Sequence, residues 1–218
     1  MKIQHHDQRV LVLFDVQNMY YSAKQLFGAK VNFKELLNTA VAGRKLIRAI
    51  AYVIKTEIKD EKNFHEALEN IGIEVKAKDL QIFYGGAKKG DWDIGIAMDA
   101  IRLCPKVDTV VLVSGDGDFK DLLGYLQSHG NRAEVMAFGR TGSIHLKKTA
   151  DLFIDLERDK NKYLLKSKKP MTRMEQPKVR REQKPMVQVT QAPPNLIREI
   201  KEPLVSTKKK KKSRKTKK

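Results

Sequence analysis

Five consecutive apolar residues, Val10-Leu-Val-Leu-Phe14, end in Asp15, and a second run, Thr109-Val-Val-Leu-Val113, passes into Ser114-Gly-Asp-Gly-Asp118. Unbroken rather than alternating hydrophobicity leaves a strand with no solvent face. Such strands sit inside a parallel sheet covered by helices on both sides.

The intervening sequence supplies those helices. Residues 18–27 and 33–42 read as helical, the second with Asn32 as N-cap. Leu46 to Ile54 reads as a strand. Glu61 to Ile71 has apolar residues at 64, 67, 68 and 71, and Gly72 stops it. Ile73–Ala77 and Leu80–Tyr84 are short strands or one broken strand, and Gly85-Gly86 opens a loop that ends at Gly90-Asp91. Helices follow at about Asp93–Cys104, with Pro105 just beyond, at Phe119–Ser128, closed by Gly130, and at Ile144–Thr149. Ala133–Phe138 and Leu152–Leu156 complete the strands. Strands alternating with helices predict one α/β domain of three layers around a mainly parallel sheet.

Residue types set the limits of that domain. All 13 glycines and all 14 Phe and Tyr residues precede Leu165, whereas six of the seven prolines follow it. Residues 166–218 hold 19 basic and 4 acidic residues, net +15; residues 1–165 hold 25 and 22, net +3. A segment so charged, with no aromatic residue, cannot offset its ordering entropy by burial. The organisation expected is an arm at 1–7, a folded domain at 8–165 and a disordered Lys/Arg-rich tail at 166–218. Clustered cations such as Lys208, Lys209, Lys210, Lys211 and Lys212 bind a polyanion by releasing counterions, without sequence preference. The tail offers no aromatic side chain for base stacking, so its contacts are expected to be with phosphate. A solubility or targeting role is the alternative. No apolar stretch approaches a membrane span, and Met1–Asp7 is no signal peptide. The single cysteine, Cys104, excludes a disulfide framework and a cysteine-based zinc site. A cytoplasmic protein is expected.

Three segments bring acids to strand ends or helix starts: Asp15-Val-Gln-Asn18, Gly90-Asp-Trp-Asp93 and Ser114-Gly-Asp-Gly-Asp118. Ligands of open α/β sheets bind at the carboxyl ends of the strands, where strand order switches. If the two apolar strands are neighbours, the acids meet there. Carboxylates that close repel one another unless a cation joins them, and Mg²⁺ or Mn²⁺ suits an all-oxygen donor set. Gly115 and Gly117 let the backbone turn so that Asp116 and Asp118 can both reach inward. A metal so held can assist in-line attack on phosphate, so acids and basic arm together favour phosphodiester hydrolysis. Each acid also has a structural reading: Asp15 or Asp93 as a helix cap, Asp91 as a loop residue. Asp99 lies six residues past Asp93, about 9 Å along a helix and about 240° around it, which argues against both binding one metal. Lys88 and Lys89 could hold a phosphate or belong to a solvated loop.

Other chemistries lack their patterns. The five histidines have no H-x-x-x-H spacing, Ser114 is not in a G-x-S-x-G elbow, and no phosphate-binding P-loop or G-x-G-x-x-G fingerprint is present. A dehalogenase-type phosphatase would need an acid at position 17, which is Gln17.

Phe14-Asp-Val-Gln-Asn18, Lys89-Gly-Asp-Trp-Asp-Ile-Gly-Ile-Ala-Met-Asp99, Val113-Ser-Gly-Asp-Gly-Asp-Phe119 and Ala150-Asp-Leu-Phe-Ile154 occur in this order. Together they resemble the LabA-like branch of the NYN domain, within the PIN-like nuclease superfamily, over roughly residues 8–160. The resemblance implies a PIN-like, Rossmann-type fold and a metal-dependent ribonuclease site. It implies functional roles for Asp15, Asn18, Asp93, Asp116 and Asp118, and it retains Asp99, which helix geometry demotes. The function expected is that of an Mg²⁺- or Mn²⁺-dependent endoribonuclease. Asp15, Asp93, Asp116 and Asp118 would bind the metal, Asn18 would orient a ligand or the phosphate, and RNA would lie along Lys88, Lys89 and the tail. The alternative is a non-catalytic RNA-binding or regulatory protein that keeps the fold.

Overall fold

The computed structural model describes residues 5–55, 61–79, 81–82, 88–89 and 91–165. The chain runs β1 (Arg9–Asp15), α1 (Val16–Phe27), β2 (Lys30–Val31), α2 (Phe33–Val41), β3 (Lys45–Lys55) and α3 (Glu61–Glu69). It continues through β4 (Glu74–Asp79), β5 (Gln81–Ile82), β6 (Lys88–Lys89), α4 (Asp93–Leu103), β7 (Thr109–Val113) and α5 (Lys120–Ser128). β8 (Arg132–Ala137), α6 (Ile144–Thr149), β9 (Leu152–Asp155), α7 (Lys160–Tyr163) and β10 (Leu164–Leu165) follow.

Six strands form one sheet in the order β4-β3-β1-β7-β8-β9, every pair parallel. The two apolar runs are therefore the central neighbours, with Val10 to Phe14 opposite Thr109 to Val113. Sheet growth reverses direction between them, because the chain adds β3 and β4 on one side of β1 and then returns to place β7 on the other. Val10, Val12 and Phe14 pack against Met19 of α1, Leu36 of α2 and Leu68 of α3. Leu11 and Leu13 pack against Ile96 of α4, Leu123 of α5 and Leu146 of α6. Two cores, one on each face, make the three layers. Among the described residues, no helix is long and apolar enough to cross a membrane.

The structure redraws several boundaries. α1 starts at Val16 rather than at residue 18, because Asp15 caps it by accepting the Asn18 N–H at 3.0 Å. The first broken-strand candidate becomes β4 in the main sheet, whereas β5 pairs antiparallel with β6 in a separate ribbon. Lys88 and Lys89, expected in a loop, form β6; residues 83–87 and 90 lie outside the described residues. β2 and β10 pair antiparallel, with Leu164 opposite Val31, and both are too short to show periodicity. Residues 1–4 and 166–218, with Lys208 to Lys212, lie outside the described residues, so the tail remains a sequence-based expectation.

Candidate functional site

Asp15 ends β1 and is buried. One carboxylate oxygen accepts the Asn18 N–H as the α1 cap, and the other accepts the Ser114 hydroxyl at 3.0 Å. Burial pushes the Asp15 carboxyl above its ordinary pKa; the bonds from Asn18 and Ser114 oppose this, and the charges of Asp93 and Asp116 reinforce it. Ser114, fully buried at the end of β7, also accepts the Asp116 N–H at 3.2 Å. Asn18 closes the other side, its side-chain oxygen accepting the Gly115 N–H at 3.0 Å. In the sequence Ser114 stands out only as a nucleophile candidate that lacks its elbow motif. Its available signal was a lone hydroxyl terminating a Val-rich strand.

After Ser114 the chain makes a single 3₁₀ turn, Gly117–Phe119, capped by Asp116, whose carboxylate accepts the Asp118 N–H at 3.1 Å. Asp118 is exposed. Neither glycine of this turn has a positive φ, so the expected reason for them is corrected. They are required by close approach instead. A Cβ on Gly115 would lie 3.1 Å from the Gly142 Cα, and one on Gly117 would lie 2.8 Å from the Ser143 hydroxyl. The loop before α6 lies across the turn, its Ser143 N–H donating to the Gly115 carbonyl at 3.0 Å.

Asp93 is the first residue of α4. Trp92 occupies the cap position without a side-chain bond, so Asp93 is not the cap that one reading made it. Its charge lies in the first turn, where the helix dipole favours an anion. Burial raises its pKa, Asp116, Asp91 and Asp118 raise it further, and the Lys78 ammonium lowers it. At the carboxyl end of the central strands the charges of Asp93 and Asp116 thus both bear on Asp15, and that of Asp116 bears on Asp93, from three separate segments.

Lys78 was not foreseen. It stands two residues after Lys76 on β4, so both side chains share a face of the strand. The Lys78 ammonium lies 4.8 Å from the Trp92 ring centroid. Trp92 is held in turn by an N–H bond to the Val53 carbonyl at 2.8 Å and by the Tyr52 ring at 5.3 Å.

Asp99 is buried one and a half turns along α4, where its carboxylate accepts the Tyr52 hydroxyl at 2.8 Å and the Lys76 ammonium at 2.6 Å. Burial alone would raise its pKa, but these two donors outweigh it and hold the carboxyl below the ordinary value. Hydrogen bonds join Asp15 and Asn18 to the turn at residues 114–118, Asp93 lies within reach of the charges of Asp116 and Asp118, and Asp99 is held in an ion pair with Lys76. Lys88 and Lys89 lie on the β5–β6 ribbon.

The donors around Asp15 are hard oxygens of mutually repelling carboxylates, which suits Mg²⁺ or Mn²⁺ in kind. Among the described residues, no three His, Cys, Asp or Glu side chains stand close enough to ligate one ion directly. An open arrangement of this sort fits Mg²⁺, which keeps several waters and takes only one or two carboxylates from a protein.

The NYN domain family model matches residues 9–157 of the chain. The low amplitude and bright protein LabA of Synechococcus elongatus is 28% identical over 171 residues, spanning 74% of this chain and 90% of its own length. The crystal structure of a protein of unknown function from Vibrio parahaemolyticus is 33% identical, with a TM-score of 0.68, over 75% of this chain and all of that one.

Proposed function

This chain belongs to the NYN domain family, a PIN-like nuclease family, and from that premise we propose that it is a metal-dependent endoribonuclease. The observation that carries the reading is the hydrogen-bonded junction of Asp15, Asn18 and the turn at residues 114–118 at the point where strand order reverses, with the charge of Asp93 bearing on Asp15. One or two of Asp15, Asp93, Asp116 and Asp118 would hold Mg²⁺ or Mn²⁺ directly and the others through water, and the ion when bound supplies charge neutralisation and an activated water for attack on phosphate.

The chain's own groups do the rest. Ser114 fixes one oxygen of Asp15 and the backbone of Asp116, so the two central strands present their acids in a set relation. Asn18, whose side-chain oxygen is engaged by Gly115, has its amide NH₂ to orient the scissile phosphate. One carboxylate of the group takes the proton of the attacking water. Lys78, beside Asp93, contributes positive charge toward the RNA backbone, and the Lys/Arg-rich tail adds contacts that do not depend on sequence.

A specific observation favours the alternative of a non-catalytic RNA-binding protein: three of the acids also serve the fold, Asp15 capping α1, Asp116 capping the 3₁₀ turn and Asp99 pairing with Lys76. Incubation of the purified chain with end-labelled RNA and Mn²⁺ separates the two. The nuclease reading expects cleavage that is lost in Asp116→Asn while binding persists. Binding without cleavage under Mg²⁺, Mn²⁺ or any other divalent ion overturns it.

A further inference from the structure

One turn into α1, beyond Asn18, two aromatic side chains stand in solvent: Tyr20 is 43% exposed and Tyr21 57%. Their rings meet edge to face, with centroids 5.4 Å apart at 73°. The Lys24 ammonium lies 5.4 Å from the Tyr20 ring centroid and 3.5 Å from its hydroxyl. The other face of the helix, through Val16, Met19 and Ala23, is in the core, so the outward direction of the pair is fixed by the amphipathic pattern. Residues three apart on a helix are neighbours, which sets Tyr21 about 4.5 Å along the axis from Asn18.

We propose that Tyr20 and Tyr21 form a nucleobase-stacking shelf beside the acid cluster, occupied by an unpaired base of single-stranded RNA. The inference rests on the nuclease reading for the position of the strand and adds what receives the neighbouring base. Three observations select this occupant. Tyr21 stands one helical turn beyond Asn18, whose side-chain oxygen binds the β7 turn. Lys24 sets a cation against the aromatic pair, matching a phosphate next to a stacked base. A ring gives affinity without sequence preference, as does a basic tail, because every base has a π face. A duplex keeps its bases stacked inside the helix, so the shelf discriminates by strandedness rather than by sequence.

The test measures binding of one uridine-rich oligonucleotide, single-stranded or annealed to its complement, by the full chain in chelator, so that cleavage does not enter. Variants Tyr21→Ala, Tyr20→Ala and Tyr21→Phe are compared with the unaltered chain; both positions are exposed, so folding is preserved. Tyr21→Ala is expected to weaken single-strand binding roughly 5- to 100-fold. Tyr21→Phe should retain affinity, and duplex binding should not move. Ultraviolet cross-linking to the same oligonucleotide should label the α1 peptide. Equal single-strand affinity of the Ala variants, or equal loss for both RNA forms, overturns the shelf. A dimer that dissociates in the Ala variants while RNA affinity stays constant also overturns it and makes the face a self-association surface. Cleavage that depends on Asp116 while the Tyr variants behave as unaltered protein removes the shelf alone. Absence of any RNA binding both in chelator and in Mn²⁺ removes the nuclease reading with it.

Discussion

The Ser114 hydroxyl donates to Asp15 across the junction of the two central strands, at 3.0 Å, with both side chains buried. A single oxygen thereby links the end of β1 to the end of β7, since the same hydroxyl accepts the Asp116 N–H. The acids are held in relation to one another by this small network together with the Asn18–Gly115 bond.

Ser114→Ala removes one donor to a buried carboxylate and one acceptor from a backbone N–H. The expected cost is about 1–3 kcal/mol in urea unfolding near neutral pH. The Asp15 carboxyl should titrate still higher, because a bond that lowers its pKa is gone. Carboxylate chemical shifts followed against pH would show this; an unmoved Asp15 would mean that the hydroxyl does not bear on it.

Asp116→Asn should raise the melting temperature in chelator near neutral pH. Asn keeps the cap and removes a charge that raises both Asp15 and Asp93. For a carboxyl whose folded pKa is raised, the penalty is absent below its unfolded value, grows as pH rises through the folded value and is complete above it. The gain from Asn should therefore shrink as pH falls into the ordinary carboxylate range. Saturating Mn²⁺ should reverse it by stabilising only the unaltered chain. A lower melting temperature for the variant in chelator would show that these carboxylates are not crowded.

Tyr52→Phe tests the separate pair around Asp99. Loss of a buried bond to a carboxylate should cost about 1.5–3 kcal/mol near neutral pH. Asp99 has a depressed pKa, so its contribution is present above the unfolded value and is lost as pH falls through the folded one. The variant and the unaltered chain should converge in stability in acid. A difference that stays constant with pH would assign the effect to packing against Trp92 rather than to the carboxylate.

Gly115→Ala should destabilise by about 1–3 kcal/mol, because its Cβ would crowd the Gly142 backbone and no flexible side chain can yield. Gly117→Ala should be milder, since its nearest neighbour is the Ser143 hydroxyl. Equal tolerance of both in thermal unfolding would mean that the loop before α6 is not seated on the turn.

A chain ending at Leu165 keeps the pairing of Leu164 with Val31 and should retain the melting temperature of the full chain. It loses 19 basic residues, so its RNA affinity should fall and the dependence of that affinity on salt should flatten. An unchanged salt slope, measured by titration at several ionic strengths, would assign the tail another role.

The central strands were legible because burial on both faces demands an unbroken apolar run, and Val10 to Phe14 and Val110 to Val113 each supply one. Acids directly after such strands were legible as candidate ligands for the same reason, since the carboxyl edge of a parallel sheet is where loops converge. The three-layer class and the charge division at Leu165 likewise follow from pattern and composition along the chain. Partnerships across the chain were not legible. Nothing local marks Asp99 for Tyr52 and Lys76, or Arg44 for Glu134, a fully buried bidentate pair 90 residues apart. Nor does the Gly115-Asp-Gly117 turn announce that its glycines make room for the Gly142 backbone and the Ser143 side chain rather than for a positive φ. Periodicity, charge and capping are properties of neighbours in sequence and read out as elements. Which charge is neutralised and which is left to repel depends on distance and desolvation, and those exist only once the layers have packed.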